Sequence, residues 1–171
     1  MEILTWVLSG ELAHTDSLGS QRTLKPGEMQ RMSAGTGIEH SEFNASKTDP
    51  VHLLQIWIMP GSDDAPPAYD QKEFPAEGRK NRLQLVASPA GADGSMTIGQ
   101  DARVYVADVE KDKSVDLAIG PKRSVWVQVA KGSVTVNGQQ LGQGDGAGIK
   151  DEAALNIIGT DLAQVLVFDL S

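Results

Sequence analysis

The sequence predicts an all-β fold of the sandwich or barrel kind, and three observations carry that prediction. Short runs of β-branched and large apolar residues recur along the chain, glycine- and proline-bearing corners separate them, and no segment sustains an apolar stripe at helical spacing with a cap at each end. Apolar residues are 40% of the 171 but aromatics only 5%, so a core must be filled mainly by Val, Ile, Leu and Ala, which suits narrow, strand-built interiors.

The runs follow in order. Residues 3–8 read as a strand that starts directly after Met1, Gly10 gives a turn, and Leu12 and His14 keep the alternation of the next strand. Asp16-Ser17-Leu18-Gly19-Ser20 reads as a polar hairpin loop, and Leu24-Lys25-Pro26-Gly27-Glu28 as a tight turn into a short strand over 29–32. Small residues over 33–37 deliver the chain to an extended segment at 38–43, and a strong strand follows at 51–59. The Gly, Ser and Pro content of 61–68 marks a surface connector, which places a first domain at 1–70 and a second at 71–171.

In the second part, strands are expected at 125–130, 134–136, 154–158 and 164–168, with Asn137-Gly138 and Gly144-Asp145 at corners. The series "VLSGEL … LKPGE … HLLQIWI" is answered in order and character by "VAKGSV … LGQGD … AQVLVFDL", which reads as an internal duplication.

The formal net charge is -8 with scattered basic residues, a field that repels a phosphate backbone or an anionic bilayer, so no nucleic-acid or membrane partner is expected. The absence of cysteine excludes disulfides, thiolate metal sites and a cysteine nucleophile, and it fits a reducing compartment; the cytoplasm is the expected location. No secretory signal pattern opens the chain and no apolar stretch is long enough to span a bilayer.

His40 and Glu42 carry the candidate chemistry. One residue apart on an extended segment, they project to the same side, and an imidazole beside a carboxylate is half of a divalent-metal site suited to iron, nickel, manganese or zinc. A His-x-Glu pair taken alone also suits a solvated face; the glycine-rich approach, the preceding PGE turn and Asn44 favour the metal. The second part has no histidine over 120–171, so no metal is expected there, although an empty apolar pocket is compatible with it.

The segment "LKPGEMQRMSAGTGIEHSEFN" resembles the second half of the pirin-family cupin signature, and "MEILTWVLSGELAHTDSLG", "HLLQIWIMP", "VWVQVAKGSVTVNG" and "VLVFDL" extend the resemblance over the chain. The resemblance implies a double-stranded β-helix, a jelly-roll bicupin, in which His40 and Glu42 are metal ligands and the cofactor is a divalent ion of iron, nickel, manganese, zinc or copper. Pirins carry a further His-x-His pair just ahead of the glutamate that corresponds to Glu2, and only Met1 precedes Glu2 here. The first cupin is therefore expected to be N-terminally truncated, with weak or absent metal, since about three protein ligands are usual for a catalytic site.

Glu2 reads as a carboxylate supporting the site from a frayed end, and His14 and His52 as structural or surface residues, with His14 near the pocket mouth at most. Met29, Met32, Trp57 and Met59 suit either a core or a pocket for a flat aromatic, while Tyr69, Asp63, Asp64 and Asp70 fall to a solvated connector. Two functions follow from the resemblance. One is a metal-dependent quercetin 2,3-dioxygenase that opens a flavonol ring, with His40 holding the metal and Glu42 acting as ligand or catalytic base. The other is a non-enzymatic regulatory or protein-interaction module, or an inactive truncated homologue. Sheet edges left bare in the first cupin predict a homo-oligomer.

Overall fold

The glycine corners that punctuate the sequence fall where its strands reverse. The structure is a computed structural model that describes residues 1–62 and 65–171. It forms two units, one made of Met1–Phe74 with Met96–Gln100, the other of Pro75–Ser95 with Asp101–Ser171.

Unit 1 holds β1 (Glu2–Ser9), β2 (Leu12–Asp16), β3 (Gln21–Leu24), β4 (Glu28–Ser33), β5 (His40–Asn44), β6 (His52–Ile58) and β7 (Ala68–Glu73). The strands form two antiparallel sheets, ordered β6-β1-β4-β7 and β3-β2-β5. Val7, Leu12 and Leu24 make a small apolar cluster with Val51 and Leu53 packed on it. Strand β7 corrects the sequence-based reading: Tyr69 lies on a strand paired with β4, half-buried, while Asp70 is exposed on the same strand. The polar sequence AYDQKE after two prolines hides this pairing, because only the register with Met32 and Ser33 reveals it. Asp63 and Asp64 lie outside the described residues.

Unit 2 opens with α1 (Ala76–Arg79) and β8 (Gln84–Ser88); β9 (Met96–Thr97) belongs to unit 1. The remaining strands are β10 (Ala102–Val109), β11 (Ser114–Ala118), β12 (Ser124–Lys131), β13 (Ser133–Val136), β14 (Gln139–Gly142), β15 (Gly146–Ile149), β16 (Ala154–Gly159) and β17 (Ala163–Leu170). They run β15-β12-β17-β10-β8 in one sheet and β11-β16-β13-β14 in the other. The interior is a continuous apolar cluster that includes Val127, Val136, Leu155, Ile157 and Val167.

The duplication read from the sequence is present in the pairing. β1 lies between β4 and β6 as β12 lies between β15 and β17, and β2 lies between β3 and β5 as β13 lies between β14 and β16. The β1–β6 ladder slips between Val7 and Ser9, and the β12–β17 ladder slips at the matching Val129 and Lys131. Each slip stands beside a glycine of positive φ, Gly10 at 74° and Gly132 at 70°, and a Cβ at either would overlap a carbonyl oxygen, of Pro50 or of Leu162. The two tight turns are also closed alike: Glu28 accepts from the Lys25 N–H at 2.7 Å, and Asp145 from the Gly142 N–H at 2.9 Å.

Candidate functional site

Side chains alternate across a strand, so each register pair shares a face. Strand β5 carries His40 and Glu42 on one face, and Glu42 stands opposite His14 of β2. On the facing sheet, Thr5 of β1 stands between Gln30 of β4 and Gln55 of β6. The two sheets meet at Glu42, whose Oε1 accepts from Gln30 Nε2 at 2.8 Å and whose Oε2 accepts from Gln55 Nε2 at 2.8 Å. His14 Nδ1 faces the same Oε1 at 3.4 Å.

Of the two places expected for His14, structural or surface, the structure has the first: it is fully buried. Its Nε2 lies 3.0 Å from Asp16 Oδ2, Tyr69 stacks on its ring at 4.6 Å, and the His40 ring meets it edge-on at 5.6 Å. Asp16 is anchored in turn by the N–H groups of Leu18 and Ser20 on Oδ1, at 2.9 and 3.0 Å. Burial alone would raise its carboxyl, but the His14 ring and the Ser20 and Leu18 contacts outweigh burial and hold it below the ordinary aspartate value. His40 is solvent-exposed, with Nδ1 3.0 Å from Met32 Sδ.

Glu2 has a different place from the expected one. It is buried within β1, paired on both sides, and accepts from Ser33 Oγ at 2.8 Å. Strand alternation turns it to the face opposite Thr5, away from Glu42, so it is neither frayed nor a neighbour of the pair. His52 is exposed on β6.

The equivalent positions in unit 2 act as an internal control. Counting from Gly10 and Gly132 and following the ladders, Thr5 matches Val127, His14 matches Val136, Gln30 matches Ala147 and Gln55 matches Val167. His40 and Glu42 match Leu155 and Ile157. All six polar positions of unit 1 are apolar in unit 2, so the shared topology does not require them. Of the six, Thr5, His14 and Gln30 are buried, Glu42 is partly buried, and His40 and Gln55 are exposed; a buried polar group left unpaired costs about 1–3 kcal/mol, and such groups cluster where chemistry is carried. Sequence reasoning singled out His40 and Glu42 by their spacing; the other four become visible only when register brings five strands together.

The donor set tests which ligand would suit the pair. An imidazole and a carboxylate fit one side of a borderline divalent ion such as nickel, zinc or iron. Among the described residues no group of three or more His, Cys, Asp or Glu side chains is placed to hold a metal ion, so the pair supplies two donors of a sphere that ordinarily takes about three from protein.

Two jelly-roll units of one topology, one with a polar interior and one apolar, define a bicupin. The pirin family model matches residues 1–58, and the model of the quercetinase C-terminal cupin domain matches residues 85–170. The quercetin 2,3-dioxygenase of Escherichia coli strain K12 is 46% identical over 170 residues, covering 99% of this chain and 72% of that protein. A pirin-like protein of Caulobacter vibrioides is 38% identical, covering 99% and 73%. The crystal structure of YhhW from E. coli superimposes with a TM-score of 0.95 at 45% identity, covering 99% of this chain and 71% of that one. The same bacterial pirin in complex with nickel(II) gives 0.93 at 46%, covering 99% and 72%. This chain belongs to the pirin family.

Proposed function

We propose that unit 1 is the metal-type cupin of a quercetin 2,3-dioxygenase-like pirin, with His40 and Glu42 holding a divalent ion and a flavonol as substrate, and that unit 2 is a cupin without metal ligands. One observation carries the reading: the two side chains share the face of β5 that meets the buried His14, Glu42 partly buried and His40 at its solvent-exposed end, among polar residues that unit 2 replaces with aliphatic ones. The names of the relatives, one a quercetin 2,3-dioxygenase and one a pirin complexed with nickel(II), supply the substrate and the metal class. When bound, such an ion supplies Lewis acidity toward a flavonol oxygen. The chain's own residues do the rest. Gln30, Gln55 and His14 hold the Glu42 carboxylate toward the interior, where it coordinates or accepts the proton of a flavonol hydroxyl. Trp57, 64% exposed and tied through Nε1 to Gln55 Oε1 at 3.0 Å, offers an indole face to a flat aromatic.

The two-donor count favours a second reading, a non-enzymatic interaction module in which any ion is weakly held. Elemental analysis of purified protein together with a flavonol-cleavage assay separates them. Metal near one equivalent, with metal and turnover both lost in His40→Ala, supports the enzyme; neither metal nor turnover in the unaltered protein leaves the module. The cysteine-free composition supports a cytoplasmic setting for either. Among the described residues β6, an apolar strand, ends its sheet with one neighbour, which supports pairing with a second copy. Light scattering should then give a dimer mass or above, and a monomer contradicts it.

A further inference from the structure

We infer that His14 and Gln30 are positioning residues that commit Oε1 of Glu42 and leave Oε2 as the atom that meets a ligand. The inference deepens the proposed function and rests on it for the identity of that ligand. A carboxylate has about four acceptor directions, two on each oxygen. On Oε1 Gln30 Nε2 takes one at 2.8 Å, and the His14 ring stands against the same oxygen with Nδ1 3.4 Å away, filling the space on that side. On Oε2 the Gln55 amide takes one, at 2.8 Å, and among the described residues nothing takes the other.

The two groups on Oε1 are themselves immobilised, unlike a pair of surface side chains. Gln30 is fully buried, with its Oε1 3.4 Å from Tyr69 Oη, whose hydroxyl has the nearer acceptor Gln71 Oε1 at 3.0 Å; His14 is clamped between Asp16 and the face of Tyr69. Asp16 is fixed by backbone N–H groups of the β2–β3 turn, so the chain of contacts ends in the main chain and resists rotation of the carboxylate. Gln55, by contrast, is exposed, so the Oε2 side is the one that can rearrange around an incoming group. The fold itself asks for none of this, since Val136 and Ala147 stand at the same places in unit 2. A carboxylate so held binds through one oxygen, at the cost of the two-oxygen mode that a free glutamate could adopt.

The test replaces the two residues by those of the other unit, His14→Val with Gln30→Ala. Circular dichroism should be unchanged. In a metal-free crystal of the variant the Glu42 carboxylate should leave its place or lose order, and calorimetric titration with nickel(II) should show affinity reduced about 10- to 100-fold, the range found when groups supporting a metal ligand are removed. A carboxylate that stays in position, or nickel affinity within about twofold of the unaltered protein, overturns the inference. Should the double variant fail to fold, Asp16→Asn, which keeps the size of the side chain, weakens the same chain of contacts and is expected to lower nickel affinity about tenfold, with an unchanged affinity counting against the role. If the unaltered protein takes no nickel, the metal reading fails, and the metal-free crystal structure alone decides the positioning role.

Discussion

Burial governs the chemistry of the two tyrosines. At Tyr69 removal from solvent is the largest influence, and with Asp16, Glu42 and Glu28 nearby it outweighs the opposing pull of Arg22 and pushes the phenol up to about 12. Tyr105 is raised as well, first by burial and then by Asp169. These are the chain's two tyrosines, so a near-ultraviolet titration of the folded protein should show no phenolate step at the ordinary value of about 10. Because Tyr69 keeps its proton longer when folded than when unfolded, its contribution to stability is full below about pH 10 and is lost as pH rises through about 12. A phenolate step near pH 10 with the fold intact would contradict this. Residue-scale chemistry was only half legible. The period of two announces that His40 and Glu42 share a face, but nothing local in AHTD says that His14 lies opposite Glu42, since that is a fact of pairing across 28 residues of chain.

At the scale of elements, the glycine corners set the register. Gly10 and Gly132 hold positive φ where the chain leaves one sheet for the other, and the space beside each is filled by a carbonyl oxygen. An L-residue there meets the left-handed penalty of about 1–2 kcal/mol together with the overlap. Gly10→Ala and Gly132→Ala should therefore each lower stability by at least about 2 kcal/mol, seen as a fall in the urea midpoint with little change in slope; losses under about 0.5 kcal/mol would contradict the assignment. These corners, with the PGE and QGD turns, made the duplication readable, because turn chemistry is local. Strands β7 and β10 went unread for the converse reason. AYDQKE has the composition of a loop and becomes a strand through its ladder with β4, and the run ARVYVADV of β10 is framed by glycine on one side alone, at the Gly99 bend, with EKDKS after it.

Across the whole molecule, one topology is used twice with opposite interiors. Unit 2 fills its barrel with Val, Leu and Ile; unit 1 keeps imidazoles, amides and a carboxylate at the same places, and with them a Thr5 hydroxyl that has no hydrogen-bond partner among the described residues. Such a layer trades stability for chemistry, as functional sites commonly do. Denaturation of a grafted protein measures that trade. Thr5→Val, His14→Val, Gln30→Ala, His40→Leu, Glu42→Ile and Gln55→Val together give unit 1 the side chains of unit 2 at these six places. A urea midpoint at or above that of the unaltered chain is expected; a midpoint clearly below it would mean that the polar layer holds the fold together, and the assignment of unit 1 as the functional cupin would lose its foundation.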